Sequence, residues 1–366
     1  MTLSLSSAGE SHGPALVAIL SGLPAGLEVD RKQIEADLSR RQQGYGRSPR
    51  QQIEQDKIEV LAGLRHGKTL GTPLALVVRN RDHEHWTWGM NPWPPEGEPE
   101  GKGTEPVTLP RPGHADLSGL QKHDFDDVRN VLERASARHT AVFVAAGSVA
   151  KQLLREIGIE VAGEVLQIGT AKTENAMNAA IDRARREQDT LGGIVQVRAK
   201  GVPPGLGSYA DKGDRLDGRL AQALMGIQAV KGVEVGEGFA LAQLPGSQAH
   251  DEIFRDERGY YRETNRAGGL EGGVTNGEDV VVRAAMKPIP TLMKPLRSVD
   301  VASGEPAEAL VERSDTTAVE ALAVVAEAAV AFELAKAAKE KFGGDAIGDF
   351  IAAYRAYIER IDWSHR

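Results

Sequence analysis

The stretch "TTAVEALAVVAEAAVAFELAKAAKEKF", residues 316–342, decides the fold. Its alanines, leucines and glutamates favour a helix, and one side of that helix is too apolar to stand alone in water. Other elements must cover it, and the chain supplies them in alternation. "DRKQIEADLSRR" (30–41) reads as a helix with Asp30 as N-cap and Ile34 and Leu38 on its apolar side. "ARHTAVFVAAGSVAKQLLREIGI" (137–159) reads as a long amphipathic helix ending near Gly158, and "RLDGRLAQALMGIQAV" (215–230) as another. Between them lie β-rich runs: "PALVAILSGLPAGLEV" (14–29), the hairpin-like "KIEVLAGLRHGKTLGTPLALVVRN" (57–80), "GGIVQVRAKGVP" (192–203) and "EDVVVRAAMKPIPT" (278–291). Strand runs alternating with long helices and broken by hairpins predict an α+β fold, with antiparallel sheets around helices. The two halves share a coarse order of strands and helices, the trace of a duplicated unit.

Residues 83–113 break this pattern. They hold Trp86, Trp88 and Trp93, three of the chain's four tryptophans, in a dense Pro/Gly/Glu run. Such composition opposes regular structure, so a flexible surface excursion is expected there, either a lid or a disordered insertion.

Composition narrows the function classes. At 41% hydrophobic and 26% charged residues, 366 residues make an ordinary globular chain, one large domain or two. No apolar run approaches the roughly 20 residues of a membrane span, and "MTLSLSSAGESHG" lacks the pattern of a secretory signal. No membrane partner is expected. Zero cysteines exclude disulfides, thiolate metal sites and cysteine nucleophiles, and fit a cytoplasmic protein. A net charge of −8 disfavours nucleic acid as a partner.

Several nucleotide-like motifs fail. "AGLRHGKT" (62–69) has Ala62 where a P-loop needs glycine, and a strand follows it instead of a helix. "GVEVGEGFA" (232–240) is followed by Leu241 where a dinucleotide fingerprint needs its third glycine. No histidines have HExxH spacing, and no metal is expected.

Five passages carry chemistry. "RRQQGYGRSPR" (40–50) places Arg40, Arg41, Arg47 and Arg50 together in an acidic protein, with no carboxylate between Asp37 and Glu54. A solvated helix end explains one or two of them. Four fit a small multi-anionic ligand better, since the guanidinium fork grips carboxylate and phosphate in pairs of bonds. "AGESHGPA" (8–15) flanks His12 with Ser11 and Gly13, either a proton-transfer site or a buried structural histidine. "PRPGHADLSG" (110–119) presents His114 on a Pro-Gly turn with Asp116 two residues on, a carboxylate able to hold the imidazole in its protonated form. "ERASARHT" (133–140) sets Arg134 and Arg138 four apart beside Ser136. "MKPIPT" and "ERSD" put Lys287 and Thr291 at a strand end and Arg313 and Asp315 before the last long helix.

Taken together, these passages resemble the signatures of chorismate synthase, in the same order: "GESHG", "RRxxGxxR", "RPGHADL", "RASAR", then "AVKGVEVGEGF", "NRAGGLEGGVTNG", "KPIPT" and "ERSD". The resemblance runs over residues 6–315. It implies one chorismate synthase domain over residues 1–366, a β-α-β sandwich with helices enclosed between antiparallel sheets, and a homotetramer. The implied reaction is anti-1,4-elimination of phosphate from 5-enolpyruvylshikimate 3-phosphate, giving chorismate. It requires reduced FMN without net redox change. The resemblance assigns His12 to the departing phosphate, His114 to the reduced flavin, and Asp315 to taking a proton from that flavin. Arg41, Arg47 and Arg50 are implied to clamp the substrate's anions, although Arg41 and Arg47 are alternatively NADPH contacts. Arg138 is implied to reach substrate. The flavin contacts carried over are Arg134, Ala135, Ser136, Gln228, Ala229, Gly272, Lys287, Pro288, Ile289, Pro290, Thr291 and Arg313. NADPH enters as an indirect reductant, and without a nucleotide fingerprint the enzyme is expected to be monofunctional and fed by an external flavin reductant. The rivals are an enzyme that itself reduces FMN with NADPH, and a non-catalytic binder of anions or RNA. Three positions depart from the family pattern: His139 for glutamate, His123 for tyrosine and Gln228 for asparagine.

Overall fold

The computed structural model describes residues 2–47, 56–257, 259–311 and 315–361. Its first half runs β1 (Ser4–Ala8), β2 (Ala15–Ser21), α1 (Arg31–Gln42), β3 (Ile58–Ala62) and β4 (Leu74–Arg79), then α2 (Asp116–His123), α3 (Arg129–Ala135) and α4 (Thr140–Arg155). The second half runs β5 (Glu160–Ile168), α5 (Glu174–Arg186), β6 (Gly193–Lys200), α6 (Leu216–Met225), β7 (Val230–Val235), β8 (Val280–Met286), α7 (Val319–Phe342) and α8 (Ile347–Ile361). The strands form two four-stranded sheets in the orders β1-β2-β4-β3 and β5-β6-β8-β7. All pairings within them are antiparallel. Each half thus lays down its strands in the order first, second, fourth, third, and the coarse similarity of the halves has this topological counterpart.

Two long helices, α4 and α7, lie between the sheets, as a β-α-β sandwich requires. α4 packs on the first sheet, α7 on the second, and the two helices pack on each other. The alanines of α7 allow this. An added Cβ at Gly147 of α4 would lie 2.4 Å from Ala328 Cβ, and one at Gly163 of β5 would lie 2.3 Å from the Ala323 carbonyl oxygen. Backbones this close leave no room for a methyl group. The larger of two apolar clusters runs from Leu3 to Phe350 through both sheets, and each fully buried leucine in it, such as Leu154 or Leu334, contributes on the order of 1.5–3 kcal/mol. α4 is more enclosed than an amphipathic helix: from Thr140 to Leu154 every side chain but Phe143 is buried. α1 begins where its sequence says, with Asp30 Oδ1 accepting from the Lys32 amide at 2.8 Å.

Two differences from the sequence reading shape the site. The run 215–230 is not one helix. α6 ends at Met225, β7 begins at Val230, and the turn between them carries Gln228 and Ala229. The excursion after β4 has little regular structure beyond a 3-10 turn at Arg81–His85, yet Trp86 within it is buried, only 9% exposed. β4 and β8 both run out into long connections, which return the chain to the starts of α4 and α7.

Candidate active site

Where those connections meet the β1–β2 loop and the end of α1, the fold leaves a cavity of about 590 Å³, within the ~300–1,000 Å³ of small-molecule sites. Fourteen of the residues singled out in the sequence line it: His12, Arg41, Arg47, His114, Ala135, Ser136, Arg138, Gln228, Ala229, Lys287, Ile289, Pro290, Thr291 and Asp315. Arg134, Pro288 and Gly272 do not. Arg134 instead donates to the Gly9 carbonyl at 3.2 Å and to Ser7 Oγ at 3.1 Å. Gly272 sits in the turn between the short strands Leu270–Glu271 and Val274–Thr275. Arg50 and Arg313 lie outside the described residues.

Both histidines are held by a buried carboxylate. Glu133 accepts from the His12 amide at 2.8 Å and lies 2.9 Å from its Nδ1. Asp116 makes a short contact with His114 Nδ1 and also accepts from the Arg111 side chain at 2.9 Å. Arg111 Nη2 comes within 3.2 Å of the same Nδ1. A nitrogen that donates to Asp116 cannot also accept from Arg111, and an ionised carboxylate can only accept, so the Nδ1 proton belongs towards Asp116. Burial alone would raise the Asp116 pKa, but hydrogen bonds from His114 and Arg111 and the guanidinium charge hold it well below the usual carboxylate range. With Nδ1 engaged in both rings, Nε2 is the nitrogen left to serve the cavity.

The arginine island is free of acids in sequence but not in space. Arg41 Nη1 meets Asp56 at 3.3 Å, and its Nε donates to Thr140 Oγ1 at 2.9 Å. Arg138 Nη1 grips the same Asp56 at 2.7 Å, and its Nε donates to Asn80 at 3.0 Å. Arg47 Nη1 meets Asp315 at 3.0 Å, while its buried Nε has no hydrogen-bond partner among the described residues. Arg40 turns away from the cavity to Glu327, at 2.9 Å. Among the described residues, the lining presents five cations (Arg41, Arg47, Arg111, Arg138 and Lys287) against two carboxylates, Asp82 and Asp315. The other countercharges, Asp56, Asp116 and Glu133, are buried behind it. An anion entering the cavity therefore meets more cations than carboxylates on its lining.

The lining also has apolar members, among them Leu132, Ile227, Ala229, Met286, Leu322 and Val325. Ala229 takes a left-handed backbone (φ 67°), rare for alanine, and its carbonyl accepts from the Lys287 amide at 3.0 Å. Lys287 Nζ is held by the Gly113 carbonyl, and burial together with nearby Lys231 pushes its pKa down. Two of the departures touch each other here: Gln228 Nε2 lies 3.0 Å from His139 Nδ1. Burial lowers the pKa of His139, favouring the neutral ring.

Sequence reading missed Glu133, Asp56, Asn80 and Arg111. Glu133 and Arg111 stand inside quoted motifs, where a carboxylate or guanidinium beside a histidine passage was the available signal. Asp56 carries none.

A cavity lined by two carboxylate-held imidazoles, several guanidinium groups and apolar side chains defines an enzyme for a small polyanionic molecule. The sequence model of chorismate synthase matches residues 3–338. A chorismate synthase of Desulforudis audaxviator is 53% identical, with 97% of both chains covered. That of Rubrobacter xylanophilus is 51% identical over 99% of this chain and 98% of its own. A crystal structure of chorismate synthase superposes with a TM-score of 0.78 at 38% identity, covering 99% of this chain and 98% of that one. The chain belongs to the chorismate synthase family. Its activity is that of a lyase, converting 5-enolpyruvylshikimate 3-phosphate to chorismate in the shikimate pathway.

Proposed function

We propose that the cavity binds 5-enolpyruvylshikimate 3-phosphate beside reduced FMN, with the cationic side chains facing the substrate's phosphate and two carboxylates. The observation that carries this reading is the unequal lining, five cations to two carboxylates among the described residues, together with apolar side chains in the same cavity. The residues present fit a flavin: Ile227, Ala229, Met286, Leu322 and Val325 offer surface for a flat ring, and Lys287 offers a cation. Bound reduced FMN supplies transient electron density to the allylic system as phosphate leaves.

The chain's own groups do the rest. His12, fixed at Nδ1 by Glu133, directs Nε2 at an oxygen of the departing phosphate and stabilises the charge that grows there. Arg47, with a donor unpaired among the described residues, and Arg138 hold the substrate's anions. Arg41 braces Asp56 and the start of α4. His114, fixed by Asp116, holds a proton at Nε2 toward the flavin. Asp315 accepts a proton at its carboxylate.

In this reading an external reductant, drawing on NADPH, keeps FMN reduced. A chain without cysteine suits the cytoplasm. In this reading copies associate into a homotetramer. The test is anaerobic. Protein, chemically reduced FMN and the phosphorylated substrate are mixed, and free phosphate and chorismate absorbance are followed. Equimolar release of both is expected, and folded protein that yields neither overturns the reading.

A further inference from the structure

The segment after β4 clasps the loop that carries His12. Asn80 Nδ2 donates to the carbonyls of Glu10 at 3.0 Å and Gly13 at 2.8 Å, and the His12 carbonyl lies 2.9 Å from His83 Nδ1. Trp86 completes the clasp. Its ring stacks on the His12 imidazole with centroids 4.1 Å apart and planes 21° from parallel.

Trp86 is itself held from its own side. Its Nε1 donates to Asp82 Oδ2 at 3.0 Å, and Asp82 is paired with Lys102 at 3.2 Å. The Arg129 guanidinium lies 5.0 Å from the ring centroid. An added Cβ at Gly103 would fall 2.8 Å from the ring, so the far end of the same excursion packs directly on the indole. Glu133 fixes one ring atom of His12, but a single hydrogen-bonded edge leaves an imidazole free to tilt about that edge. A flat surface against its face removes the tilt.

We propose that Trp86 is a positioning residue for His12, setting the plane in which Nε2 meets the leaving phosphate. This rests on the role given to His12 above. The tryptophan-rich excursion thereby acquires a definite role, since one of its indoles registers a ring in the active site. The competing account is that Trp86 only fills space and anchors the excursion.

A double-mutant cycle separates the two. Trp86→Leu is expected to lower kcat by about 10- to 100-fold, as ångström-scale misplacement of a reacting group does, with KM little changed. Trp86→Phe, which keeps a flat face, should lose less. In a His12→Asn background, Trp86→Leu should cost less than about twofold, because the group it positions is gone. An equal cost in both backgrounds, or none in wild type, overturns the proposal. Tryptophan emission gives a readout that needs neither flavin nor turnover. His12→Asn should change it in the parent, and should leave it unchanged once Trp86 is phenylalanine. Unaltered emission in the parent contradicts the stack even where Trp86→Leu proves too unstable to assay. If His12→Asn alone leaves turnover intact, the role of His12 fails while emission still judges the stack. If His12→Asn cripples turnover and Trp86→Leu does not, only the inference about Trp86 fails.

Discussion

Arg40 and Arg41 leave α1 in different directions and end in two charge clusters of different kinds. Arg40 joins Lys151, Asp37 and Glu327, where Lys151 meets Asp37 at 2.7 Å and Glu327 at 2.5 Å. Two cations face two carboxylates, and the Gly163 amide fills a further Glu327 lone pair at 2.9 Å. This cluster ties α1, α4, α7 and β5 together, and none of its members lines the cavity. Arg41 shares Asp56 with Arg138, two guanidinium groups on one carboxylate, and both face the cavity. Charge balanced inside the packing holds helices together. Cationic excess beside a space recruits an anion.

The sharpest test of the open side is His114→Ala, for which kcat should fall by about 10²- to 10⁴-fold, the usual share of a proton-handling group. Substrate affinity, measured by titration, should barely move. A loss confined to affinity would remove the proton role. On the closed side, Glu327→Gln leaves Arg40 and Lys151 with Asp37 alone. Denaturant unfolding should show a loss of about 3–5 kcal/mol, while turnover per folded molecule holds.

The pH dependence of this loss has a definite sign. Burial raises the pKa values of Asp37 and Glu327, but Lys151 and Arg40 pull both below their ordinary values of 3.8 and 4.5. Depressed carboxylates contribute stability fully above those values and lose it as the pH falls through the folded ones. Glu327→Gln should therefore flatten the acid limb of the stability curve.

Arg47→Ala comes next. Loss of a charged donor is worth about 1.5–3 kcal/mol, so KM should rise roughly 10- to 100-fold, with far less change in stability than Glu327→Gln. If stability fell and KM held, Arg47 would belong with Arg40. Smallest is Arg31→Ala, which removes the exposed partner of Glu35. Unfolding free energy should shift by about 0.5 kcal/mol or less, and steady-state kinetics should not change.

What the sequence revealed depended on how far apart the partners lie. Helix and strand runs were legible because their period is local, and the Asp30 cap because it touches a residue two away. His114 and Asp116 could be paired on the same ground. His12 and Glu133 lie 121 residues apart, and Arg40 and Glu327 lie 287 apart, so nothing local distinguishes a structural arginine from a ligand-facing one. The ordered motifs pointed to the family and to most of the cavity lining. They gave no sign that Trp86 would leave a proline-rich excursion to lie against His12.

The most direct measurement is a crystal structure with the phosphorylated substrate and FMN bound together. The substrate phosphate is expected within hydrogen-bonding distance of His12 Nε2, its anions on Arg47 and Arg138, the flavin ring on Met286, Leu322 and Val325, and Arg40 still on Glu327. Substrate anions seated away from these side chains, or a cavity that stays empty while substrate binds elsewhere, would refute that arrangement.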